Sequence, residues 1–94
     1  MQISVNRIHN DIVMIAGFSE TPGEGATRPT FSTAWRQARD YVIARAEIHG
    51  CHTRIDAAGN VHLRQRHLSF KAPVWLSGSH IDTVPHGGDY DLSL

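Results

Sequence analysis

The sequence predicts an α/β fold, and three features of its 94 residues predict it. Two stretches repeat apolar residues at helical spacing, two short segments alternate in polarity around a turn, and one continuous apolar run suits a strand buried on both faces. Apolar residues make up 40% of the chain and charged residues 19%, the mixture of a folded protein rather than a disordered one. A chain of this size buries only about 60–65% of the surface it exposes when unfolded, so one modest core is the limit.

In chain order, Val5, Ile8, Ile12 and Ile15 recur at spacings of three and four and mark one face of a first helix. Ser4 or Asn6 can cap its start, and Gly17 offers a stop. Residues 19–29 form a loop by composition, with Pro22, Gly23, Gly25 and Pro29 interrupting any periodic pattern. The second helix lies within Thr30 to Gly50. Ser32 or Thr33 caps it, Trp35, Ala38, Tyr41, Val42 and Ala46 make its apolar stripe, and Gly50 stands where a left-handed residue is wanted. Thr53–Ile55 and Val61–Arg64 then read as a hairpin around the turn residues 56–60. Ala72–Leu76 is the buried strand, with Pro73 tolerable near its start, and Trp35 and Trp75 are both read as core residues.

Charge excludes one class of function. Nine Lys and Arg balance nine Asp and Glu, which argues against holding nucleic acid or an anionic membrane by bulk electrostatics. No stretch approaches the roughly 18–20 apolar residues of a membrane span, and the first residues lack the apolar run of a signal peptide. The single cysteine, Cys51, leaves no internal disulfide and fits a reducing compartment. The expectation is a cytoplasmic protein that holds neither nucleic acid nor membrane.

Beyond the buried run the chain becomes small, polar and titratable, from Ser77 to Asp91, at the strand end where open α/β sheets place their ligand sites. His80 and Asp82 are two apart and share a face if the strand continues through them. An imidazole that binds a metal needs its second ring nitrogen held by a carboxylate or carbonyl, which Asp82 can supply. Asp91 follows across Pro85 and the Gly87-Gly88 pair, which let the chain reverse and return a second carboxylate. The same spacing also suits an ordinary turn, so spacing alone leaves both readings open. A serine nucleophile at Ser79 fails, because adjacent strand residues face opposite ways and no Gly-x-Ser-x-Gly elbow is present. Of the other histidines, His62 is expected to face water on the hairpin. His49 and His52 flank Cys51 near the helix end, where they suit packing and the helix dipole better than a metal site. Thr27 and Arg28 lie in a glycine-rich loop that can approach the active centre, with nothing in their spacing to support it directly.

The run from Gly78 to Asp91 (GSHIDTVPHGGDYD) resembles the first metal-ligand motif of the dinuclear-zinc aminopeptidase and carboxypeptidase superfamily. More narrowly, it resembles the branch of N-carbamoyl-L-amino-acid hydrolases and allantoate amidohydrolases. Phe18-Ser19-Glu20, Gly25-Ala26-Thr27-Arg28, residues 38–41 and Arg54–Asn60 are similar to that branch in the same order, so the resemblance covers nearly the whole chain. It implies a catalytic domain with helices packed on a mixed sheet, and hydrolysis of a C–N bond in N-carbamoyl-L-amino acids, allantoate or related ureido compounds. It implies two divalent ions (Zn, Mn or Co), with His80 a terminal metal ligand, Asp82 the carboxylate that orients it, and Asp91 the bridge between the metals. It further implies a small-molecule ureido or carbamoyl amino-acid substrate as partner, and homodimers formed through a region absent here.

Two residues depart from the pattern: Leu92 follows the bridging aspartate where glycine is usual, and His86 stands where asparagine is common. The remaining ligands and the general base of the branch, a glutamate pair and further histidines, have no counterpart here. Residues 1–94 are therefore expected to be the N-terminal portion of a metallohydrolase catalytic domain, truncated after the first metal-ligand motif and inactive alone. The competing expectation is a small non-enzymatic binding module with weak metal affinity.

Overall fold

Four elements make up the computed structural model, which describes residues 3–71 and 73–88: helix α1 (Val5–Gly17), helix α2 (Thr33–Ile48) and strands β1 (Cys51–Ile55) and β2 (Val61–Gln65). They form a small α/β piece with one two-stranded antiparallel sheet. The chain divides into two units, Met1–Ala38 with Ser79–Leu94, and Arg39–Gly78. Among the described residues no helix is long and apolar enough to cross a membrane.

Both helices start where a side-chain oxygen can satisfy an orphan backbone N–H. At α1 the cap is Ser4, in an extended conformation, whose Oγ accepts from the Arg7 N–H at 3.2 Å; Asn6 lies inside the helix. At α2 the Ser32 Oγ accepts from the Trp35 N–H at 3.1 Å. The predicted stripe on α1 is covered only toward its C-terminal end, with Ile12 and Ile15 half-buried and Val5 and Ile8 exposed. The buried residues among those described, Ala26, Arg28, Ala34, Trp35 and Ala38, all belong to the first unit. Phe31 meets Trp35 edge-on, with ring centres 5.2 Å apart. Gly50, just past α2, has φ +83°, the left-handed residue the sequence calls for.

In the second unit β1 and β2 pair in the register Thr53↔Leu63, two residues longer on β1 and one longer on β2 than the polarity pattern predicts. That extension places His52 in a strand rather than at a helix end. Its Nε2–H donates to the Leu68 carbonyl at 2.7 Å, and its ring lies 4.2 Å from that of Phe70. Helix-dipole stabilisation of His52 is thereby replaced by local packing. No group of three or more His, Cys, Asp or Glu able to hold a metal occurs among the described residues, so Cys51, His49 and His52 form no such site.

Two further expectations are corrected. The run at 72–76 is not a buried strand in its described part: Pro73–Leu76 joins no ladder, Trp75 and Leu76 are almost fully exposed, and Trp75 is no core residue. A strand buried on both faces needs neighbouring strands and covering layers, and among the described residues the sheet consists of β1 and β2, neither of which pairs with 73–76. His62 does not simply face water. It is half-buried, and its Nε2 stands 2.9 Å from Asp56 Oδ2.

Asp56 organises the hairpin turn. Its Oδ1 accepts from the Ala58 and Asn60 N–H groups at 3.0 and 2.9 Å, and its Oδ2 accepts from Asn60 Nδ2 at 3.2 Å as well as from His62. The His62 bond above all, then the backbone bonds, holds the Asp56 carboxyl well below the usual carboxylate range. A carboxyl whose pKa is depressed by folding adds stability above its unfolded value, and that stability is lost as pH falls through the folded one. Hairpin stability should therefore decline below about pH 4, whereas Asp56→Asn should be weaker at neutral pH and flat over the same range. Amide exchange of β1 and β2 between pH 3 and 7 measures this.

Candidate functional site

The site is built from the loop at 19–29 and the segment at 79–88, both in the first unit. The loop is first closed on itself. The Ser19 Oγ accepts from the Thr27 N–H at 2.9 Å, the Thr21 and Thr27 hydroxyls are 2.7 Å apart, and the Glu20 N–H donates to the Thr27 carbonyl at 2.8 Å. This folding presents Ala26 and Arg28 as an edge. Ala26 then pairs with Gly87 in an antiparallel bridge, each N–H donating to the other's carbonyl at 2.7 and 2.8 Å. The Thr83 N–H donates to the Arg28 carbonyl at 3.0 Å, and its Oγ1 accepts from the Arg28 N–H at 2.9 Å. That same hydroxyl lies 2.8 Å from the Ala26 carbonyl, to which it can donate.

Gly25 allows this approach. Its φ is +80°, and a Cβ there would stand 2.9 Å from the backbone C and O of His86. His86 itself has φ 54°, a left-handed conformation that few residues other than glycine adopt. The His86 Nδ1–H donates to the Glu24 carbonyl at 2.7 Å and its N–H to Thr27 Oγ1 at 2.8 Å, so the residue serves the loop.

Within this frame the His80 Nδ1 lies 2.9 Å from the Asp82 carbonyl oxygen and 3.2 Å from Asp82 Oδ1. The structure thus brings His80 and Asp82 together, though by the ring folding back onto the next-but-one residue rather than by strand alternation, since residues 79–84 form no strand. Both neighbours of Nδ1 are acceptors, so the proton is assigned to Nδ1 and Nε2 is left with its lone pair. Asp91 lies outside the described residues. His80 and Asp82 are each about half-exposed, at 50% and 48% of the side chain, which leaves the imidazole open to a ligand. Together with Ile12, Ile15, Ala16 and Arg28 they line a cavity of about 200 Å³. As to fit, the described residues offer a metal one oriented imidazole; they do not assemble a complete cage.

Sequence reasoning left Arg28 unattached to the site, and the structure attaches it. The residue is 6% exposed. Its Nε–H donates to the Ile81 carbonyl at 2.7 Å, and Nη1 donates to the carbonyls of Ile15 and Phe18 at 2.8 and 2.7 Å. The Ile81 contact joins residues 53 apart in sequence. No spacing rule reaches so far; the one signal was that Gly25–Arg28 lies inside the resemblance.

Comparison with known proteins shows what the chain is similar to. The chain is 34% identical over 84 residues to the allantoate amidohydrolase of Escherichia coli strain K12, covering 89% of this chain and 20% of that protein. It is 33% identical over 92 residues to the N-carbamoyl-L-amino acid amidohydrolase of Geobacillus stearothermophilus (98% and 22%), and 31% identical over 91 to the ureidoglycolate hydrolase of Arabidopsis thaliana (97% and 19%). No protein-family model and no solved structure matches it. The chain is a homologue of the amidohydrolase branch that its motifs resemble, and it spans about one fifth of the length of these relatives.

The Gly25 approach gives a test of the frame. Gly23 (φ +81°) and Gly25 share a left-handed backbone, but only at Gly25 would a Cβ meet other atoms. Gly23→Ala should cost about 1 kcal/mol from backbone strain alone, and Gly25→Ala clearly more, in urea unfolding followed at the Ala26 and Gly87 amides.

Proposed function

We propose that residues 1–94 form the N-terminal portion of the catalytic domain of a cytoplasmic, metal-dependent amidohydrolase. Its substrate would be an N-carbamoyl-L-amino acid, allantoate or a related ureido compound. The observation that supports this most is the imidazole of His80, held at Nδ1 by the Asp82 carbonyl and carboxylate with Nε2 left to accept a ligand. In this reading His80 is a terminal metal ligand, Asp82 sets its tautomer and ring angle, and Asp91 bridges two divalent ions (Zn, Mn or Co). Such ions, when bound, supply Lewis-acid polarisation of the scissile carbonyl and an activated water. The part of this chain is to hold the imidazole proton on Nδ1 and to keep the ring in the cavity lining. The relatives' names, which include allantoate amidohydrolase and N-carbamoyl-L-amino acid amidohydrolase, support the substrate class.

One imidazole and one carboxylate fill few of the positions two ions require. The 94-residue chain by itself is then a weak cation binder without turnover. Titration with Zn²⁺ decides the ligand role: His80→Ala should abolish specific binding, whereas His62→Ala, with its ring engaged by Asp56, should leave it intact. Equal loss from the two variants would mean adventitious histidine binding. Turnover of N-carbamoyl amino acids by the pure chain, with Zn²⁺, Mn²⁺ or Co²⁺ added, would contradict the proposed dependence on further ligands.

A further inference from the structure

We infer that Arg28 is a positioning residue for His80, acting through the backbone on either side of Asp82. The inference deepens the reading above, because it concerns how the proposed ligand is held.

The guanidinium is planar and rigid, and its nitrogens point in fixed directions. Here one edge, Nε–H, takes the carbonyl of Ile81, the residue between His80 and Asp82, while Nη1 takes the carbonyls of Ile15 and Phe18 at the end of α1. A single side chain therefore references the His80–Asp82 link to a helix end. The main chain of the same residue fixes Thr83 from both sides, through the Thr83 N–H and the Thr83 hydroxyl. Ile81 and Thr83 flank Asp82, so the Asp82 carbonyl that receives the His80 Nδ1–H sits between two anchored positions.

Burial sharpens the requirement. A buried arginine is tolerated when its N–H groups find acceptors, and the contacts to Ile81, Ile15 and Phe18 at 2.7–2.8 Å are the short distances of charge-assisted bonds. The cation also stands at the carbonyl end of α1, where positive charge is favoured. Lysine keeps the charge, but its donors radiate from one nitrogen and cannot span the Ile81 carbonyl and the helix end together.

The test is the tautomer of His80 in the metal-free chain, read from imidazole ¹⁵N shifts at a pH where the ring is neutral. The wild type should be mainly the Nδ1–H form, because Nδ1 faces two acceptors. In Arg28→Lys and Arg28→Gln that form should fall to a minority, as in a ring free in water. Ser4→Ala, which weakens α1 by removing its cap, should leave it unchanged. The Ala26 and Gly87 amides report whether the first unit is folded. An unchanged His80 tautomer in a folded Arg28 variant would overturn the inference. So would collapse of the first unit in both variants, which would assign Arg28 to general stability. Neither result depends on metal binding, so the failure of this inference is distinct from failure of the ligand role, which the zinc titration reads.

Discussion

The first unit of this protein depends on a buried cation bound to backbone. Arg28 links the loop at 19–29, the end of α1 and the segment that carries His80, and it does so with main-chain carbonyls. Hydrogen bonds from a charged donor contribute about 1.5–3 kcal/mol each. Losing the donor while its partners stay buried costs more than a typical surface change, because each carbonyl left behind must find water or remain unsatisfied. The buried apolar set of the unit is small: three alanines and one tryptophan among the described residues. With so little apolar area, polar closure of this kind carries a large share of the specificity of the fold.

Local physics was legible in the amino-acid order. The spacing of apolar residues found both helices, the serines before them supply the caps, and Gly50 takes the left-handed conformation expected of it. The hairpin followed from alternation and turn composition, with its ends short by one or two residues. The run at 73–76 reads as a buried strand because apolarity states what a segment can bury, whereas burial requires neighbouring strands, and among the described residues none pairs with it. His62 misled for a related reason. Alternation puts it on an open face, and only the fold of the turn shows that the Asp56 carboxylate reaches it.

At the site, the His80–Asp82 pairing was anticipated from a spacing of two, yet the structure achieves it by another route. Strand alternation would bring two side chains to one face; instead the ring meets the backbone carbonyl as well as the carboxylate of Asp82, which fixes its orientation by two acceptors. Arg28 was invisible to spacing because its contact crosses 53 positions. Only resemblance marked Gly25–Arg28, and resemblance does not say what a residue touches. The positive φ of His86 and the close approach at Gly25 are consequences of the same joining of loop to segment.

The central claim is that the loop at 19–29 and the segment at 79–88 are joined main chain to main chain, so that the site residues have one geometry before any ligand arrives. Hydrogen exchange at the amides of Ala26, Thr83 and Gly87 tests this most directly, since each donates to a carbonyl across the junction. The account predicts that the three exchange slowly and together, losing protection in one step as urea is added. Exchange at free-chain rates in the absence of urea, or protection of one without the others, would contradict it.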